Sequence, residues 1–183
     1  MKRLITLILF STVSILGFSQ SVFMTRNGQV SFFSKTQMEN IEGTNNEVTS
    51  MIDTSKGDIV FAVLVKSFRF EKALMEEHFN ENYLESTKFP KATFQGKFTN
   101  TQSINFTKDG TYTATVEGDL TMHGVKQRQT ATGTITVKNG KISAVSTFTI
   151  KLADYKIERP SLVADKISET IEIRVNCQYE PKS

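Results

Sequence analysis

Residues 112–125 read Tyr-Thr-Ala-Thr-Val-Glu-Gly-Asp-Leu-Thr-Met-His-Gly-Val, and this stretch decides the fold class. Its apolar side chains fall on alternate positions, with polar side chains between them, which predicts a strand with one buried face and one solvated face. Gly118 interrupts the apolar positions, where a bulge or a close backbone approach is expected. His123-Gly124 ends the strand at a bend.

The same alternation recurs twice in the second half of the chain. Residues 142–152 and residues 171–179 each place apolar side chains on one face and polar ones on the other. Residues 92–98 predict a further strand of this kind. The turn sequences at 108–110 and 138–140, both ending in glycine, predict connections between antiparallel strands. An all-β antiparallel barrel or sandwich is therefore expected.

The first half of the chain is less regular. Residues 22–33 predict a strand pair around Asn27-Gly28, because this dipeptide is a strong hairpin signal. Residues 37–50 predict short strand pieces, with breaks at Gly43 and at Asn45-Asn46. Residues 59–68 are apolar on both alternating faces, so we expect a strand that is covered on both sides.

One helix is expected after the N-terminal segment, over residues 70–84. Apolar and aromatic side chains recur there at helical spacing, with acidic and amide side chains opposite them. Lys88-Phe89-Pro90 follows and excludes a longer helix. We expect this helix to cover the strand predicted at 59–68.

The N-terminal residues predict export. Lys2 and Arg3 precede an apolar run from Leu4 to Leu16, and small residues follow, so residues 1–19 are interpreted as a secretory signal peptide. An uncleaved anchor is the alternative, but the apolar run is short for a membrane span. The mature chain, residues 20–183, is then a single domain without a stable membrane anchor, in the periplasm or secreted.

Charge and cysteine content exclude some classes of protein. Removing Lys2 and Arg3 from the 22 basic residues leaves 20 against 19 acidic ones, so no nucleic-acid partner is indicated. Cys177 is the only cysteine, which rules out an internal disulfide. Its alternating position predicts a small buried side chain, and the fold must be stabilised by packing.

No catalytic motif, phosphate loop or dinucleotide fingerprint occurs, and His78 and His123 are the only histidines. A zinc site would need a third ligand, such as Glu77 or Asp119, and the spacing does not indicate one. We expect no catalytic residue, no metal and no cofactor. A metal-assisted enzyme acting through His78 and His123 is the least favoured of the possible functions.

Three further motifs stand out in the chain. They are residues 118–125, Gly-Asp-Leu-Thr-Met-His-Gly-Val; residues 77–79, Glu-His-Phe, followed by 88–94, Lys-Phe-Pro-Lys-Ala-Thr-Phe; and residues 154–157, Asp-Tyr-Lys-Ile. With their order along the chain, they resemble the motifs of the YceI-like family of exported proteins. The resemblance implies a lipocalin-like barrel of about eight strands with one short helix, enclosing a long-chain isoprenoid or another lipid. Residues 22–33 lack the family's Asp-x-x-His-Ser pattern, and Glu77 stands where the family often has Asp.

The implied ligand is an isoprenoid quinone, a polyprenol or a fatty-acid derivative, carried or stored in the barrel. Its expected contacts are Phe61, Phe70, Met75, Phe79, Phe94, Leu120, His123, Phe148, Ile150 and Ile173, with His123 orienting a loop at one end.

The alternative is a non-catalytic structural or interaction module of the same fold with a filled core. Small residues at inward positions favour a cavity: Gly96, Ala114, Gly118, Gly133 and Ala144. The sequence leaves a homodimer open.

Overall fold

The alternating stretches form the strands of an antiparallel barrel in the computed structural model, which describes residues 21–182. The predicted signal peptide, residues 1–19, lies outside the described residues. The strands are β1 (Val22–Lys35), β2 (Asn40–Asp53), β3 (Asp58–Leu64), β4 (Arg69–Phe70), β5 (Lys91–Phe98), β6 (Gly110–Met122), β7 (Val125–Lys138), β8 (Lys141–Lys151) and β9 (Thr170–Pro181).

Eight of these strands close on themselves in the order β1, β9, β8, β7, β6, β5, β3 and β2, and β2 pairs back with β1. All the pairings are antiparallel. The two-residue strand β4 adds to β2 opposite Gly43 and Thr44. The predicted all-β antiparallel barrel of about eight strands is confirmed.

Two hairpin turns follow directly from their dipeptides. His123-Gly124 joins β6 to β7, and Asn139-Gly140 joins β7 to β8. All four residues have positive φ, from 51° to 73°. A two-residue turn with positive φ at both positions suits the right-handed twist of the strands, so these dipeptides set the register of β6, β7 and β8.

Gly118 marks a close backbone approach rather than a bulge. It lies directly opposite Gly96, and the β5–β6 register is regular through this point. A Cβ atom at Gly118 would lie 2.3 Å from the carbonyl oxygen of Gln95 and 2.5 Å from Cα of Gly96. The two strands therefore approach each other so closely here that only glycine fits on β6.

The hairpin predicted around Asn27-Gly28 is wrong, because β1 is a single strand. The register of β1 against β2 shifts on either side of Gly28, which makes it a bulge glycine. A Cβ atom there would lie 2.6 Å from Sγ of Cys177 on β9. Gly28 is thus needed for contact with a neighbouring strand and not for a turn.

The breaks predicted in residues 37–50 are also wrong, since β2 runs unbroken from Asn40 to Asp53. Asn45 is completely buried, and its side-chain amide donates a hydrogen bond to the carbonyl of Leu64 at 2.9 Å. This bond ties β2 to the end of β3.

Residues 59–68 are not a strand covered on both sides. Strand β3 ends at Leu64, a 3₁₀ turn follows at Val65–Ser67, and the Leu64 side chain is 43% exposed. The segment predicted as their cover, residues 70–84, lies instead at one end of the barrel. Its α-helix, α1, spans only Ala73–His78 and continues as a π turn over Phe79–Tyr83.

The two ends of the barrel differ in how they are filled. At the end where β1 begins, a core cluster fills the interior, and Ile104 from the β5–β6 connection packs into it. We call this the closed end. Both ends of the described chain lie here, because the backbone N–H of Lys182 donates to the carbonyl of Val22 at 2.9 Å. Among the buried members of this cluster are Phe23, Ile52, Ile59, Phe98, Ile135, Ile142 and Tyr179.

Cys177 packs in the same cluster and is fully buried. Burial raises the pKa of its thiol from near 9 to about 11, because the thiolate would be desolvated. We expect iodoacetamide to alkylate it at neutral pH only through unfolding, with a rate that follows the unfolded fraction in urea.

Alkaline pH should also act through this thiol. The pKa of this thiol is higher in the folded protein than in the unfolded chain. The contribution of the neutral thiol to the free energy of unfolding is therefore complete below pH 9 and is lost as the pH rises towards 11. Urea denaturation at several pH values, compared with a Cys177→Ala variant, measures this. Equal alkaline losses in both proteins would contradict it.

Candidate ligand-binding cavity

The half of the barrel away from the closed end contains a cavity of about 540 Å³. Its floor is the core cluster, reached by Ile59, Phe98 and Ile135, and its walls are inward side chains of the strands. The lining is almost entirely apolar. A second core cluster, which includes Val30, Phe79 and Ile150, borders the cavity on the side away from the closed end, and the volume left between the two clusters suits a small-molecule ligand.

Nine of the ten residues expected to contact a ligand line this one cavity, while His123 does not. The nine come from six strands, from α1 and from the π turn, so the fold brings together positions that are distant in sequence. They are Phe61, Phe70, Met75, Phe79, Phe94, Leu120, Phe148, Ile150 and Ile173.

Four phenylalanine rings form the roof of the cavity. Phe79 of the π turn lies between Phe32, Phe68 and Phe70, with ring centroids 5.2, 5.3 and 5.0 Å away. Gly43 makes room for this group, because a Cβ atom there would lie 2.5 Å from the Phe32 ring. Offset and tilted aromatic pairs of this kind are favourable.

Phe32 and Phe68 belong to the lining but were not predicted. The hairpin predicted at Asn27-Gly28 gives the second half of β1 the wrong direction. For this reason Phe32 was not recognised as an inward residue. Once β1 is a single strand paired with β2 and β9, the inward positions of Val30 and Phe32 follow from alternation.

The cavity opens at the end of the barrel beside α1, and we call this opening the mouth. Charged side chains and one histidine occur there: Lys72 and His78 from the α1 segment, Glu39 before β2, and Lys166 before β9. Nζ of Lys72 lies 3.4 Å from Oε1 of Glu39, so this pair spans part of the mouth. With one acid beside two lysines, the mouth carries little net charge.

His123 lies outside the cavity and links two segments of the chain by hydrogen bonds. We call this arrangement the clamp. Its Nδ1 lies 3.0 Å from the carbonyl oxygen of Tyr155, and its Nε2 lies 3.0 Å from Oε2 of Glu85. Both partners are hydrogen-bond acceptors. The edge of the ring also packs on Phe89 at 4.9 Å. The β6–β7 turn is thereby fixed to the segments that follow the π turn and β8.

We expect His123→Ala to destabilise the protein by about 2 kcal/mol, because two partly buried hydrogen bonds are lost at about 1 kcal/mol each. Asn139→Ala is the matched control, since Asn139 also begins a two-residue turn and also has φ of 51°. It measures the cost of alanine at positive φ without the clamp. Equal losses of unfolding free energy in urea would show that the clamp contributes nothing.

The two histidines serve different places, His78 at the mouth and His123 in the clamp. Within residues 21–182, no three side chains of His, Cys, Asp or Glu are grouped so that they could hold a metal ion. Over the same residues, no helix combines the length and the apolar character needed to cross a membrane.

A closed antiparallel barrel with an apolar cavity at one end defines a ligand-binding barrel of the lipocalin-like kind. The YceI-like domain model matches residues 22–179, and the chain belongs to this family. The family's fold is of a binding type. No match was found among curated proteins.

Solved structures show the same fold at low sequence identity. A polyisoprenoid-binding domain from Saccharophagus degradans, implicated in plant cell wall breakdown, superposes with a TM-score of 0.75 at 14% identity, covering 89% of this chain and 99% of that one. BcnA of Burkholderia cenocepacia gives 0.69 at 16%, covering 83% and 95%. The Campylobacter jejuni YceI protein gives 0.64 at 18%, covering 81% and 90%.

Proposed function

We propose that this protein binds a long apolar molecule, an isoprenoid or a comparable lipid, in its cavity and carries or stores it without chemical change. The single observation that supports this is the cavity itself, whose volume of about 540 Å³ is enclosed by apolar and aromatic side chains. The polyisoprenoid-binding domain of similar fold adds support for this class of ligand.

Burial of hydrocarbon supplies enough free energy for useful affinity. Each buried methylene contributes about 0.8 kcal/mol, so about ten would give roughly 8 kcal/mol before the costs of ordering the ligand. That value corresponds to roughly micromolar affinity. Affinity therefore does not require an ion pair between the protein and the ligand. The few polar groups of the mouth would select the headgroup.

The ligand headgroup would lie at the mouth, between α1 and the start of β2. The proposal includes export, because residues 1–19 have the pattern of a signal peptide. An exported carrier would shield a water-insoluble chain between two membranes or between a membrane and an enzyme.

Native mass spectrometry of the protein purified from its own host is the direct test. We expect one lipid at one copy per chain, identified after organic extraction. An apo mass that stays unchanged after incubation with quinones, polyprenols and fatty amides would overturn the proposal.

A pair of variants assigns the binding to the cavity. Leu120 lines the cavity, whereas Thr113 lies on the exposed face of the same strand. Leu120→Arg should abolish lipid capture, because a buried guanidinium without a partner is strongly unfavourable beside hydrocarbon. Thr113→Arg should leave capture unchanged. Equal capture by both folded variants would place the ligand elsewhere.

A further inference from the structure

The seam between β7 and β8 is open over half its length. The two strands pair from Lys138 and Lys141 as far as Gly133 and Ser146, and their pairing ends there. Beyond this point β7 stays paired with β6 to Val125, and β8 stays paired with β9 to Lys151. Two strand edges thus face each other without a backbone ladder between them.

Side-chain hydrogen bonds close both ends of this gap. At one end the Ser146 hydroxyl donates to the carbonyl of Thr132 at 2.9 Å. At the other end the Gln127 amide donates to the carbonyl of Asp154 at 2.8 Å. Between them lies a window beside Arg128–Thr132, about 17 Å long at the usual rise of a strand.

The cavity lies directly inside this window. Its lining includes the inward residues Gln129, Ala131 and Phe148 beside the gap. It also includes Thr134 and Val145, an exposed pair in the closed part of the ladder, one rung from the gap. At the gap, only side chains and no backbone ladder separate the cavity from the outer face.

We infer that the cavity is a passage with two openings, the mouth and the β7–β8 window, and that its ligand is an apolar chain longer than the cavity, whose far end leaves through the window. This inference rests on the proposed function and narrows its ligand class. A pocket closed at its far end limits the length of the chain it accepts, whereas a passage with a second opening does not.

Closing the window tests this. Had the register continued, Thr130 would face Thr149 on the exposed side, so Thr130→Cys with Thr149→Cys allows a disulfide that draws the two edges together. Thr136→Cys with Ser143→Cys is the control, because these residues are already paired in the closed part of the seam. Cys177 stays in place, since it is buried.

The probes are farnesol, a short prenol, and solanesol, a long one. We expect the oxidised window variant to bind solanesol at least about tenfold more weakly, because keeping even a couple of methylenes out of the cavity has that effect on affinity. Farnesol affinity should be unchanged, reduction should restore solanesol binding, and the control should bind both prenols in either redox state.

Unchanged solanesol affinity after oxidation would overturn the inference, as would a reduced protein that binds farnesol but not solanesol, and both outcomes leave the proposed function standing. A protein that binds neither prenol in any state would overturn the proposed function with it. If the disulfide does not form, Ala131→Phe fills the window from inside and should likewise weaken solanesol more than farnesol.

Discussion

Replacing Gly118 with valine is expected to destabilise the barrel by at least about 3 kcal/mol, the upper range for overpacking a well-packed interior. The valine side chain would collide with backbone atoms of β5 and not with another side chain. The new Cβ would lie 2.3 Å from the carbonyl oxygen of Gln95 and 2.5 Å from Cα of Gly96, and neither atom can rotate away. Strands β5 and β6 would have to separate, with loss of ladder hydrogen bonds on both sides of the pair.

Glu117→Val is the control for this prediction. It places the same side chain on the adjacent residue, where it removes only a salt bridge between Glu117 and Arg128 at the surface. Urea denaturation of both variants gives the comparison. If Gly118→Val costs no more than Glu117→Val, the close approach does not constrain the fold.

Phe79→Ala is expected to release the roof of the cavity. No residue of α1 is buried, whereas Phe79 directly after it is 9% exposed and lies within three other rings. The helix is thus anchored by a side chain that is not part of it. Truncating a buried phenylalanine costs about 3 to 5 kcal/mol in a core. Because no residue of α1 is buried, we expect the loss to appear first as local unfolding of residues 73–83.

Hydrogen exchange followed by mass spectrometry measures this effect. Amides of residues 73–83 should exchange at least about tenfold faster in Phe79→Ala, while those of β6 and β9 keep their protection. Leu74→Ala is the matched control, because Leu74 lies on α1 with a 58% exposed side chain. The explanation fails if both variants protect residues 73–83 as well as the unmodified protein does.

Alternation predicted most of the strands because each strand's inside and outside are encoded locally. Residues 112–122, 142–150 and 171–179 form β6, β8 and β9 with the expected faces inward, since a period of two survives whatever the strand pairs with. The turn at Asn139-Gly140 is equally local, because positive φ at both positions selects those residue types.

The errors arise where a residue's role depends on a distant partner. Gly28 has the sequence context of a turn glycine, but its function is to accommodate Cys177, which lies far away in sequence. Asn45 is a residue type that often interrupts a strand, but here its side-chain amide donates a hydrogen bond to the carbonyl of Leu64 inside the protein. A pattern of neighbours in sequence cannot contain these contacts.

The candidate site could be predicted as a set of inward residues, but not as a cavity. Apolar alternation reports burial, and Ile135 in the packed cluster and Phe148 beside the window have the same pattern in sequence. Whether a barrel interior is filled depends on how side chains from eight strands meet. The window is less predictable still, because it depends on where the ladder between β7 and β8 ends.

The position of Val22 and Lys182 at the closed end has a practical consequence for anyone immobilising this protein. Val22 and Lys182 are hydrogen-bonded at the closed end, on the opposite side of the barrel from the mouth. An affinity tag, a fluorescent fusion partner or a surface linker attached directly before Val22 or directly after Lys182 would therefore leave the barrel on the side away from the cavity. A sensor chip prepared in this way would leave the mouth of each molecule facing the solution.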